Sequence, residues 1–478
     1  MPRAQPLFVC QECGASHRKW SGKCDACDAW NSIVEETSRE TIPRGMSTGG
    51  GRPLVFSGLA DAVETPARRV TGNAEFDRVC GGGLVPGSAV LIAGDPGIGK
   101  STLLLQVAAG LAGNGNTPGI RTAYVSGEEA IDQVRLRAAR LGLVGSRIEL
   151  ASATSLRDIL ASFDSADSPD ALVIDSIQTM YIDNLDTAPG TVGQVRACAQ
   201  ELIRVAKRRG AIVFIVGHVT KEGTIAGPRV LEHMVDTVLA FEGDRGHQFR
   251  ILRGVKNRFG PTDEIGVFQM TGRGLLEVAN PSALFLAERS RESSGSVVFA
   301  GMEGTRPVLV EIQALTAPAG YGTARRAVVG WDSARLAMIL AVIETRCGLA
   351  FGGRDVFLNV AGGLRIAEPA ADLAVAAALI SSLLDRAVAA DTVAFGEIGL
   401  SGEVRAVGQT EPRLKEAAKL GFTRALIPAR RHDQGAELGG AISMRGLRDL
   451  NDLIRVLDPT PPRRAARSAP EPAPARES

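Results

Sequence analysis

The chain has 478 residues, which at about 150 residues per domain is enough for roughly three domains with buried cores. Its 54 Lys and Arg against 53 Asp and Glu leave a formal charge of +1. This balance excludes a uniformly basic protein that coats nucleic acid through bulk charge. Apolar residues make up 45% and charged residues 22%, close to globular averages, so disorder over most of the chain is excluded as well.

No segment has the length or pattern of a membrane anchor or a secretory signal. The most apolar stretch, Leu373 to Leu384, has 12 residues, against the roughly 20 that cross a bilayer. Four of the seven cysteines cluster near the start of the chain. That distribution favours a metal site in a reducing compartment over a disulfide framework. We therefore expect a soluble, cytoplasmic protein without a membrane partner.

Residues 1–36 form a small cysteine-bearing module. Its two CxxC pairs are separated by ten residues and consist of Cys10, Cys13, Cys24 and Cys27. Two such pairs complete the tetrahedral thiolate shell that zinc prefers, and metal binding supplies on the order of 10–16 kcal/mol to modules of this size. Redox dithiols are the alternative, but the spacing favours structural zinc. The other three cysteines are scattered and are predicted to be small buried apolar residues: Cys80, Cys198 and Cys347.

A linker and an α/β domain follow. Residues 37–56 are rich in Gly, Ser, Thr, Pro and Arg without apolar periodicity, which is typical of a flexible linker. Over residues 57–277, short apolar runs alternate with helical patterns, which indicates a parallel sheet covered by helices. The predicted strands are Ser88–Ala93, Arg121–Ser126, Ala171–Asp175 and Ala211–Val216. Apolar residues at helical spacing predict a helix over Thr191–Arg209.

A phosphate-binding loop follows the first predicted strand. The sequence there fits G-x4-G-K-[ST], with a strand before it and a helix after it, so backbone N–H groups and the helix dipole can hold phosphates. Lys100 is expected to neutralise charge on the β- and γ-phosphates, and Ser101 to offer its hydroxyl to Mg²⁺. The predicted nucleotide-binding residues are Gly94, Asp95, Pro96, Gly97, Ile98, Gly99, Lys100 and Ser101.

Carboxylates follow two further strands, at the sheet edge where such folds bind ligands. Asp175 ends the apolar strand ALVID, an arrangement that holds Mg²⁺ together with Ser101. Glu128 follows Arg121–Ser126 and is placed to polarise the attacking water, with Glu129 as the second choice. The alternative for Glu128 is a carboxylate that only stabilises a helix N-terminus. ATP, Mg²⁺ and zinc are the expected cofactors.

A basic motif lies later in the same domain. Lys256, Asn257, Arg258, Phe259 and Gly260 form the sequence KNRFG after the strand-like stretch 248–252. Taken alone, a Lys/Arg pair in a Gly-flanked loop is more often a solvated surface than a functional site.

The pattern of apolar residues changes after residue 277. Residues 285–457 are predicted to form an α+β domain, with strand-like runs and Ala/Leu helices at Val308–Ile312, Ala334–Ile343, Val356–Val360 and Ala370–Leu384. Residues 458–478 are rich in Pro, Ala and Arg and lack the apolar content to fold, which predicts a disordered tail.

The order of these features closely resembles the bacterial RadA (Sms) DNA-repair ATPases over nearly the whole chain. The resemblance is carried by the four-cysteine module, GDPGIGKS, SGEE, ALVIDS and KNRFG, and the last together with the zinc module is the most specific. It implies an α/β, RecA-like P-loop ATPase core with an N-terminal zinc module and a C-terminal Lon-protease-like domain. It further implies a hexameric ring that translocates on single-stranded or branched DNA and drives branch migration alongside a RecA-type recombinase. Lys256 and Arg258 would then reach the γ-phosphate across a subunit boundary.

The C-terminal domain resembles Lon proteases without their catalytic pair. Lon's serine lies in Gly-Pro-Ser-Ala, and the matching sequence is Glu-Pro-Ala-Ala at 368–371, so Ala370 takes the serine position. Without gaps, Lon's lysine falls on Glu411, and nearby Lys415 has no serine to activate. The domain is therefore predicted to be proteolytically inactive and to serve ring assembly and DNA contact.

DNA contact is predicted at loops that line a central pore. The candidate loops are Met180–Gly190 and Gly217–Arg229, and the second contributes His218, Thr220, Lys221 and Arg229. His218 and Thr220 could instead sense the γ-phosphate. Arg325 and Arg326 form another basic cluster, for which a solvated surface is an equal alternative. No base-recognition motif is present, which predicts sequence-independent binding to phosphates.

Two other functions compete with a DNA-dependent motor. The Lon-like domain would fit an ATP-dependent protease, against which Ala370 argues. A nucleotide-switched signalling ATPase would also use a P-loop core, but the zinc module and KNRFG disfavour it.

Overall fold

The computed structural model describes residues 7–10, 15–17, 19–30, 32–36, 67–114, 117–163, 167–218, 230–243, 248–286, 293–320, 323–429 and 442–458. The chain divides into two compact units. One comprises Met1–Asn280 with Glu303–Arg306, and the other comprises Pro281–Met302 with the residues from Pro307 onward. The predicted linker, and the predicted tail after Asp458, lie outside the described residues.

The cysteine-bearing module contains a small antiparallel sheet. Its strands, in the order β2-β1-β3, are β1 (Leu7–Cys10), β2 (Ser16–His17) and β3 (Ile33–Glu36). The buried apolar cluster of the module's described part consists of Cys10, Cys24 and Ile33. So small a cluster cannot stabilise a fold by burial alone, which is the physical reason for a metal here.

The α/β domain is built on a nine-stranded sheet in the order β12-β11-β10-β9-β4-β8-β7-β5-β6. Its strands are β4 (Ala89–Gly94), β5 (Thr122–Ser126), β6 (Glu149–Ser152), β7 (Ala171–Asp175), β8 (Ile212–His218), β9 (Thr237–Glu242), β10 (Phe249–Asn257), β11 (Ile265–Thr271) and β12 (Gly274–Glu277). Its helices are α1 (Ala74–Val79), α2 (Lys100–Ala112), α3 (Ile131–Arg140), α4 (Leu156–Ala161), α5 (Val192–Arg209) and α6 (Val230–Met234). Strands β4 to β9 are parallel, and β10 to β12 add an antiparallel extension.

Helices cover both faces of this sheet, because alternate residues of each central strand point to opposite sides. Val90 and Ile92 of β4 pack with α2 in one buried cluster, and Ala89 and Leu91 pack with α5 in the other. Strands buried on both faces must be apolar throughout. This explains why β4 and β7 are continuous apolar runs in the sequence.

The predicted elements of this domain are largely confirmed. All four predicted strands exist with boundaries within two residues, and β7 matches its prediction to the residue. The apolar residues that defined the predicted helix are buried on α5, namely Val192, Val195, Ala199, Leu202 and Ala206. Its basic residues are exposed, namely Arg196, Arg204, Lys207 and Arg208.

One placement was wrong. The KNRFG motif was expected in a loop after a strand ending near residue 252, but β10 continues to Asn257, so Lys256 and Asn257 are strand residues. The pairing of β10 with β9 shifts register between Gly254 and Lys256. This bulge lets the strand continue past the point where its apolar alternation ends.

The second unit contains a seven-stranded mixed sheet in the order β15-β16-β14-β13-β17-β20-β21 and a small ribbon of β18 and β19. Its strands are β13 (Ser296–Glu303), β14 (Arg306–Pro318), β15 (Arg326–Val329), β16 (Arg354–Val360), β17 (Thr392–Ala394), β18 (Glu397–Ile398), β19 (Val404–Arg405), β20 (Arg424–Pro428) and β21 (Ser443–Leu447). Its helices are α7 (Pro281–Phe285), α8 (Ser333–Cys347), α9 (Asp372–Leu384), α10 (Thr410–Lys419) and α11 (Leu450–Leu457).

The predicted α+β character of this unit is confirmed, with one correction. The helix expected from Ala370 begins at Asp372, because Pro369–Ala371 forms a separate 3-10 turn. The first ten residues of α9, Asp372 to Ser381, are all buried, which explains the low polarity of that segment. In the described part of the chain, no helix combines the length and the apolar character needed to cross a bilayer.

Candidate functional site

The loop between β4 and α2 has the backbone of a phosphate-binding loop. Gly97 and Gly99 adopt left-handed φ values of 78° and 116°, a region that side chains disfavour. A Cβ on Gly94 would lie 2.4 Å from the carbonyl oxygen of Phe241, so this position has no room for a side chain. The glycines that the motif requires are thus explained by backbone conformation and by close packing.

Lys100 begins α2, and its ammonium group folds back beneath the loop. Its Nζ donates to the carbonyl oxygens of Gly94 at 2.6 Å and of Asp95 at 2.9 Å. Burial lowers the pKa of Lys100, and neighbouring carboxylates, including those of Asp175 and Glu128, oppose this change. Three predicted catalytic residues, Lys100, Glu128 and Asp175, therefore lie close enough to interact electrostatically.

Asp175 ends β7 as predicted, and its carboxylate has a partner that the sequence did not reveal. The hydroxyl of Tyr124, on the neighbouring strand β5, donates to Oδ2 of Asp175. Tyr124 is buried, and burial followed by the charge of Asp175 raises its pKa well above the ordinary value. Tyr124 therefore remains a neutral donor that fixes the orientation of Asp175.

Glu128 and Glu129 follow β5 but face different partners. The hydroxyl of Ser176, directly after Asp175, donates to Oε1 of Glu128, which places this carboxylate beside the end of β7. Glu129 instead forms an ion pair with Arg137 of α3, and its backbone N–H donates to Ser126 Oγ at 2.9 Å. Glu128 is thus the carboxylate next to Asp175, whereas Glu129 has a local structural role.

The donors at this edge fit Mg²⁺, which prefers oxygen ligands and bridges protein carboxylates and nucleotide phosphates. Ser101 lies in the first turn of α2, and Asp175 lies at the end of β7. When bound, the ion would neutralise charge on the phosphate groups. The hydroxyl of Ser101 and the carboxylate of Asp175 are the groups that would hold it.

The contact between Tyr124 and Asp175 leads to a first prediction. Replacing Tyr124 by Phe keeps the buried ring but removes the donor, so we expect the Mg²⁺ concentration for half-maximal ATP hydrolysis to rise about tenfold or more. A magnesium titration of the hydrolysis rate measures this effect. Tyr181→Phe, which removes the hydroxyl of a partly buried tyrosine after β7, is the matched control. An unchanged titration midpoint in Tyr124→Phe would show that the Tyr124 hydroxyl does not support Mg²⁺ binding by Asp175.

A buried cation also touches the phosphate-binding loop. Arg250 of β10 is 6% exposed, and its Nε donates to the carbonyl oxygen of Ile98 at 3.2 Å. It lies 152 residues from Ile98 in the sequence and belongs to no recognisable motif. The sequence feature that could have indicated this contact is weak, because it consists of a single basic residue within an apolar strand pattern.

The KNRFG motif lies at the opposite edge of the sheet from the phosphate-binding loop. Asn257 pairs with Thr237 of β9, and Thr237 pairs with Val90 at the start of β4. From Val90 to Gly94 the strand rises about 13 Å, at roughly 3.3 Å per residue. A cation at this edge faces away from the nucleotide loop of its own domain.

The two cations of the motif have different surroundings. Lys256 Nζ donates to the carbonyl oxygens of Glu232 at 2.6 Å and of Val235 at 2.8 Å, at the end of α6. Burial, followed by the charge of Arg258, lowers the pKa of Lys256. Arg258 is half exposed and forms an ion pair of 3.1 Å with Asp236, a buried carboxylate. Lys256 is thus bound to backbone, whereas Arg258 reaches the surface.

The first predicted DNA loop is ordered by one buried side chain. Gln194 of α5 donates from Nε2 to the carbonyl oxygens of Ile182, Leu185 and Thr187, at 3.1, 3.2 and 3.0 Å. It also accepts from the N–H of Ile182 at 2.8 Å. The second predicted loop lies outside the described residues from 219 to 229, and with it Thr220, Lys221, Arg229 and the side chain of His218.

The described cysteines of the N-terminal module converge on one point. The Sγ atoms of Cys10, Cys24 and Cys27 lie within 4.8 Å of one another, and those of Cys10 and Cys27 are 3.7 Å apart. Thiolates bound to one zinc at about 2.3 Å in a tetrahedron lie roughly 3.8 Å apart, so the residues fit the ion. Cys13 lies outside the described residues. His17 Nε2 lies 3.4 Å from Cys24 Sγ.

This centre gives a second prediction. Cys24→Ala removes one of the converging thiolates, so we expect loss of the stoichiometric zinc while the α/β domain stays folded. Metal analysis of the purified protein, combined with a nucleotide-binding measurement, tests both parts. Cys347→Ala, outside the module, is the control and should keep one zinc per chain. One zinc per chain in Cys24→Ala would contradict the assignment.

The three scattered cysteines are mostly as predicted. Cys80 and Cys198 are buried, and burial raises both thiol pKa values, that of Cys198 to about 12. Cys347 corrects the prediction, because it is only partly buried at the end of α8, although burial still raises its pKa to about 11. These thiols are poor nucleophiles at neutral pH.

An ion pair occupies the region that matches the Lon catalytic pair. Ala370 is 1% exposed and carries no hydroxyl. Arg413 of α10 is buried and forms an ion pair with Glu368, and its Nη1 donates to the carbonyl oxygen of Ala300 at 2.7 Å. Glu411, the ungapped match to Lon's lysine, is exposed and paired with Lys415 at 2.6 Å.

The basic pair at the start of β15 has structural contacts. Arg326 donates to the carbonyl oxygens of Phe351, Arg325 and Arg354. Arg325 donates its backbone N–H to Asp355 Oδ1 at 2.7 Å. The guanidinium of Arg326 therefore stabilises the turn before β16, a structural role that the sequence analysis did not predict.

Three family models match parts of the chain. They describe an AAA domain over residues 63–224, a rubredoxin metal-binding domain over residues 8–35, and subunit ChlI of Mg-chelatase over residues 324–431. The first covers the phosphate-binding loop and both carboxylate positions, and the second covers the converging cysteines.

Curated relatives match nearly the whole chain. A DNA repair protein RadA of Brucella abortus is 59% identical over 436 residues, covering 90% of this chain and 92% of its own. The DNA repair protein RadA of Bacillus subtilis is 48% identical over 466 residues, covering 95% and 99%. Among solved structures, the RadB recombinase aligns over 44% of this chain and 99% of its own, at 22% identity and a TM-score of 0.36.

Proposed function

The chain belongs to the family of the bacterial DNA repair protein RadA, and from this premise we propose that it is a DNA-dependent motor that couples ATP hydrolysis to movement along single-stranded DNA. It is a RecA-like P-loop ATPase of DNA repair. The proposed use of the motor is branch migration of recombination intermediates, with a RecA-type recombinase as partner. The cytoplasm, where that DNA is found, is its proposed location.

One observation carries the proposal: the phosphate-binding loop and Arg258 of the KNRFG motif lie at opposite edges of one sheet. The phosphate-binding loop and Asp175 lie at the carboxyl ends of the parallel strands, and Arg258 lies where these strands begin. A single domain cannot bring them together without unfolding the sheet. Two domains packed head to tail can, because the edge with Arg258 of one then faces the loop of the next.

Head-to-tail packing of this kind would allow the domains to assemble into a ring. A heterologous interface repeats around a closed ring or along an open filament. We propose the closed hexamer, in which Arg258 contacts the γ-phosphate in the neighbouring domain. Lys256, held by the carbonyl groups of α6, keeps the strand end in place for that contact.

The residues of the loop edge have separate proposed roles in hydrolysis. Lys100 stabilises charge that develops on the transferred phosphoryl group. Glu128 orients the attacking water and is itself held by Ser176, so its position depends on the same strand end as Asp175. Because Ser176 directly follows Asp175, the proposed metal-binding carboxylate and the proposed water-orienting carboxylate are both positioned by the end of β7. Loops that follow these strands, including Met180–Gly190, are the proposed contacts with DNA phosphates.

A movable synthetic junction tests the motor function. Purified protein should convert a four-way junction with homologous arms into its two product duplexes when ATP is present. Lys100→Ala should bind the junction without converting it, and a junction with heterologous arms should stay intact. Junction binding with no ATP-dependent conversion by the native chain, alone or with a RecA-type recombinase, would contradict the branch-migration proposal.

The competing functions are less well supported. An ATP-dependent protease requires a nucleophile, and Ala370 provides only a methyl group where the Lon serine would lie. A signalling switch gives no role to a cation such as Arg258, which lies at the sheet edge away from the nucleotide loop of its own domain. Casein digestion would reveal the first, and hydrolysis indifferent to DNA would favour the second.

A further inference from the structure

Two tryptophans are exposed side by side on the zinc module. Of the three tryptophans in the chain, Trp20 is 61% exposed and Trp30 is 73% exposed. Large aromatic side chains at a surface are costly to solvate, and they are enriched where proteins bind partners. Neither residue is a zinc ligand, and the nucleotide chemistry does not use them.

The two rings flank a common opening whose floor is Gly22. A Cβ on Gly22 would lie 4.0 Å from Cη2 of Trp20 and 4.0 Å from Cζ3 of Trp30. These two ring atoms are therefore at most about 8 Å apart, which is twice the 3.5–4.0 Å contact distance of stacked carbon atoms. The space between them thus admits one flat group at most.

The charge of the zinc module determines which kind of flat group the two tryptophans would bind. Residues 1–36 contain five acidic and four basic side chains, and a zinc ion with four thiolates adds two negative charges. Asp25 is 90% exposed beside the ligand Cys24, whereas the charges of Lys23 and Asp28 neutralise each other in a 2.5 Å ion pair. A polyanion such as DNA is repelled by this module, whereas a planar cation is attracted.

We propose that Trp20 and Trp30 form a binding slot for an arginine side chain of a protein partner, with Asp25 at its rim. The guanidinium group is planar and weakly hydrated, and it stacks on indole faces more readily than an ammonium group does. The partner is thus an arginine-bearing segment of another protein. The zinc ion fixes the turns on which both rings stand, which gives the metal a role in recognition as well as in folding.

Fluorescence of the full-length chain tests the slot. In a Trp331→Phe background the emission comes from Trp20 and Trp30 alone. The probe is the blocked peptide Gly-Arg-Gly-Arg-Gly, and the controls are Gly-Lys-Gly-Lys-Gly and a twelve-residue oligothymidylate. We expect saturable quenching by the arginine peptide, at least about threefold weaker binding of the lysine peptide, and no response to the oligothymidylate.

A plug variant, in which a larger side chain at Gly22 fills the slot, distinguishes loss of the slot from loss of a tryptophan ring. Gly22 lies outside the left-handed region, so Gly22→Leu fits its backbone and fills the opening while both tryptophans remain. We expect Gly22→Leu and Trp30→Ala each to weaken peptide binding about tenfold, as loss of a stacked cation requires. Zinc content of one per chain confirms that the module is folded; if Gly22→Leu loses zinc, Gly22→Ala and Trp20→Ala replace it.

Three results would overturn the proposal. These are arginine-peptide binding unchanged by the plug in a zinc-loaded protein, equal binding of the two peptides, and saturable quenching by the oligothymidylate, which would make the slot a nucleobase site. None of them depends on ATP hydrolysis, so the outcome is independent of the motor function.

Discussion

Arg258→Ala should bind ATP normally and hydrolyse it about 10³-fold or more slowly, if its guanidinium acts as arginine fingers do in comparable ATPases. The reason is positional, because Arg258 lies at the sheet edge away from the loop of its own domain, and its removal leaves Lys100 and Asp175 untouched. Steady-state hydrolysis together with equilibrium nucleotide binding measures the two effects separately.

The matched control is Lys207→Ala. Lys207 and Arg258 both contact Oδ1 of Asp236, at 3.5 and 3.1 Å. If Arg258 only neutralises that buried carboxylate, the two variants should lose similar amounts of activity. We expect Lys207→Ala to keep hydrolysis within a few-fold of the native chain.

Mixing two inactive variants tests whether Arg258 acts across a subunit boundary. A Lys100→Ala chain has a defective loop and an intact Arg258, and an Arg258→Ala chain has the opposite defect. In mixed assemblies some interfaces combine an intact loop with an intact Arg258, so part of the activity should return. Energy transfer between labelled chains confirms that subunits have exchanged. With that confirmation, activity that stays flat at every mixing ratio would show that Arg258 does not act in trans.

Lys100→Ala should reduce ATP hydrolysis by at least about 100-fold, the order of loss when one preorganised electrostatic donor is removed. The substitution removes the ammonium group that the Gly94 and Asp95 carbonyl oxygens hold beneath the loop. Binding to DNA without nucleotide should persist, since this group faces the nucleotide. Lys415→Ala, which changes an exposed lysine paired with Glu411, is the control and should be fully active. Hydrolysis at the native rate by Lys100→Ala would place the catalytic site elsewhere.

Local patterns predicted those parts of the site that lie on continuous stretches of chain. The loop from Gly94 to Ser101 and the strand that ends in Asp175 are fixed by short-range requirements of backbone freedom, apolar burial and strand length. Such requirements act within about ten residues. They are therefore visible without knowledge of the fold.

Contacts between distant segments were not predictable. Tyr124 reaches Asp175 only because β5 pairs with β7, and Arg250 reaches Ile98 only because β10 joins the sheet beyond β9. Neither residue type signals its role locally: tyrosine is common in strands, and a lone arginine in a strand usually faces solvent. These contacts depend on which strands pair in the sheet, and strand pairing cannot be deduced from a single sequence.

The same limit explains the misplaced elements. Apolar alternation in β10 ends before Lys256, so the pattern alone predicts a loop, whereas a bulge and the pairing with β9 extend the strand. Near Ala370, composition favours a helix, but Pro369–Ala371 forms a separate 3-10 turn before α9. The ungapped match to Lon placed Glu411 in the site, and helix geometry turns Arg413 inward instead.

We propose that ATP hydrolysis by this protein depends on DNA. The most direct test measures steady-state ATP hydrolysis by the native chain with and without single-stranded oligothymidylate, at low and at high salt, with Lys100→Ala as the inactive control. We expect a several-fold increase in rate with DNA at low salt that diminishes as salt weakens phosphate contacts. Equal rates with and without DNA at both salt concentrations, from protein that binds the oligonucleotide, would contradict it.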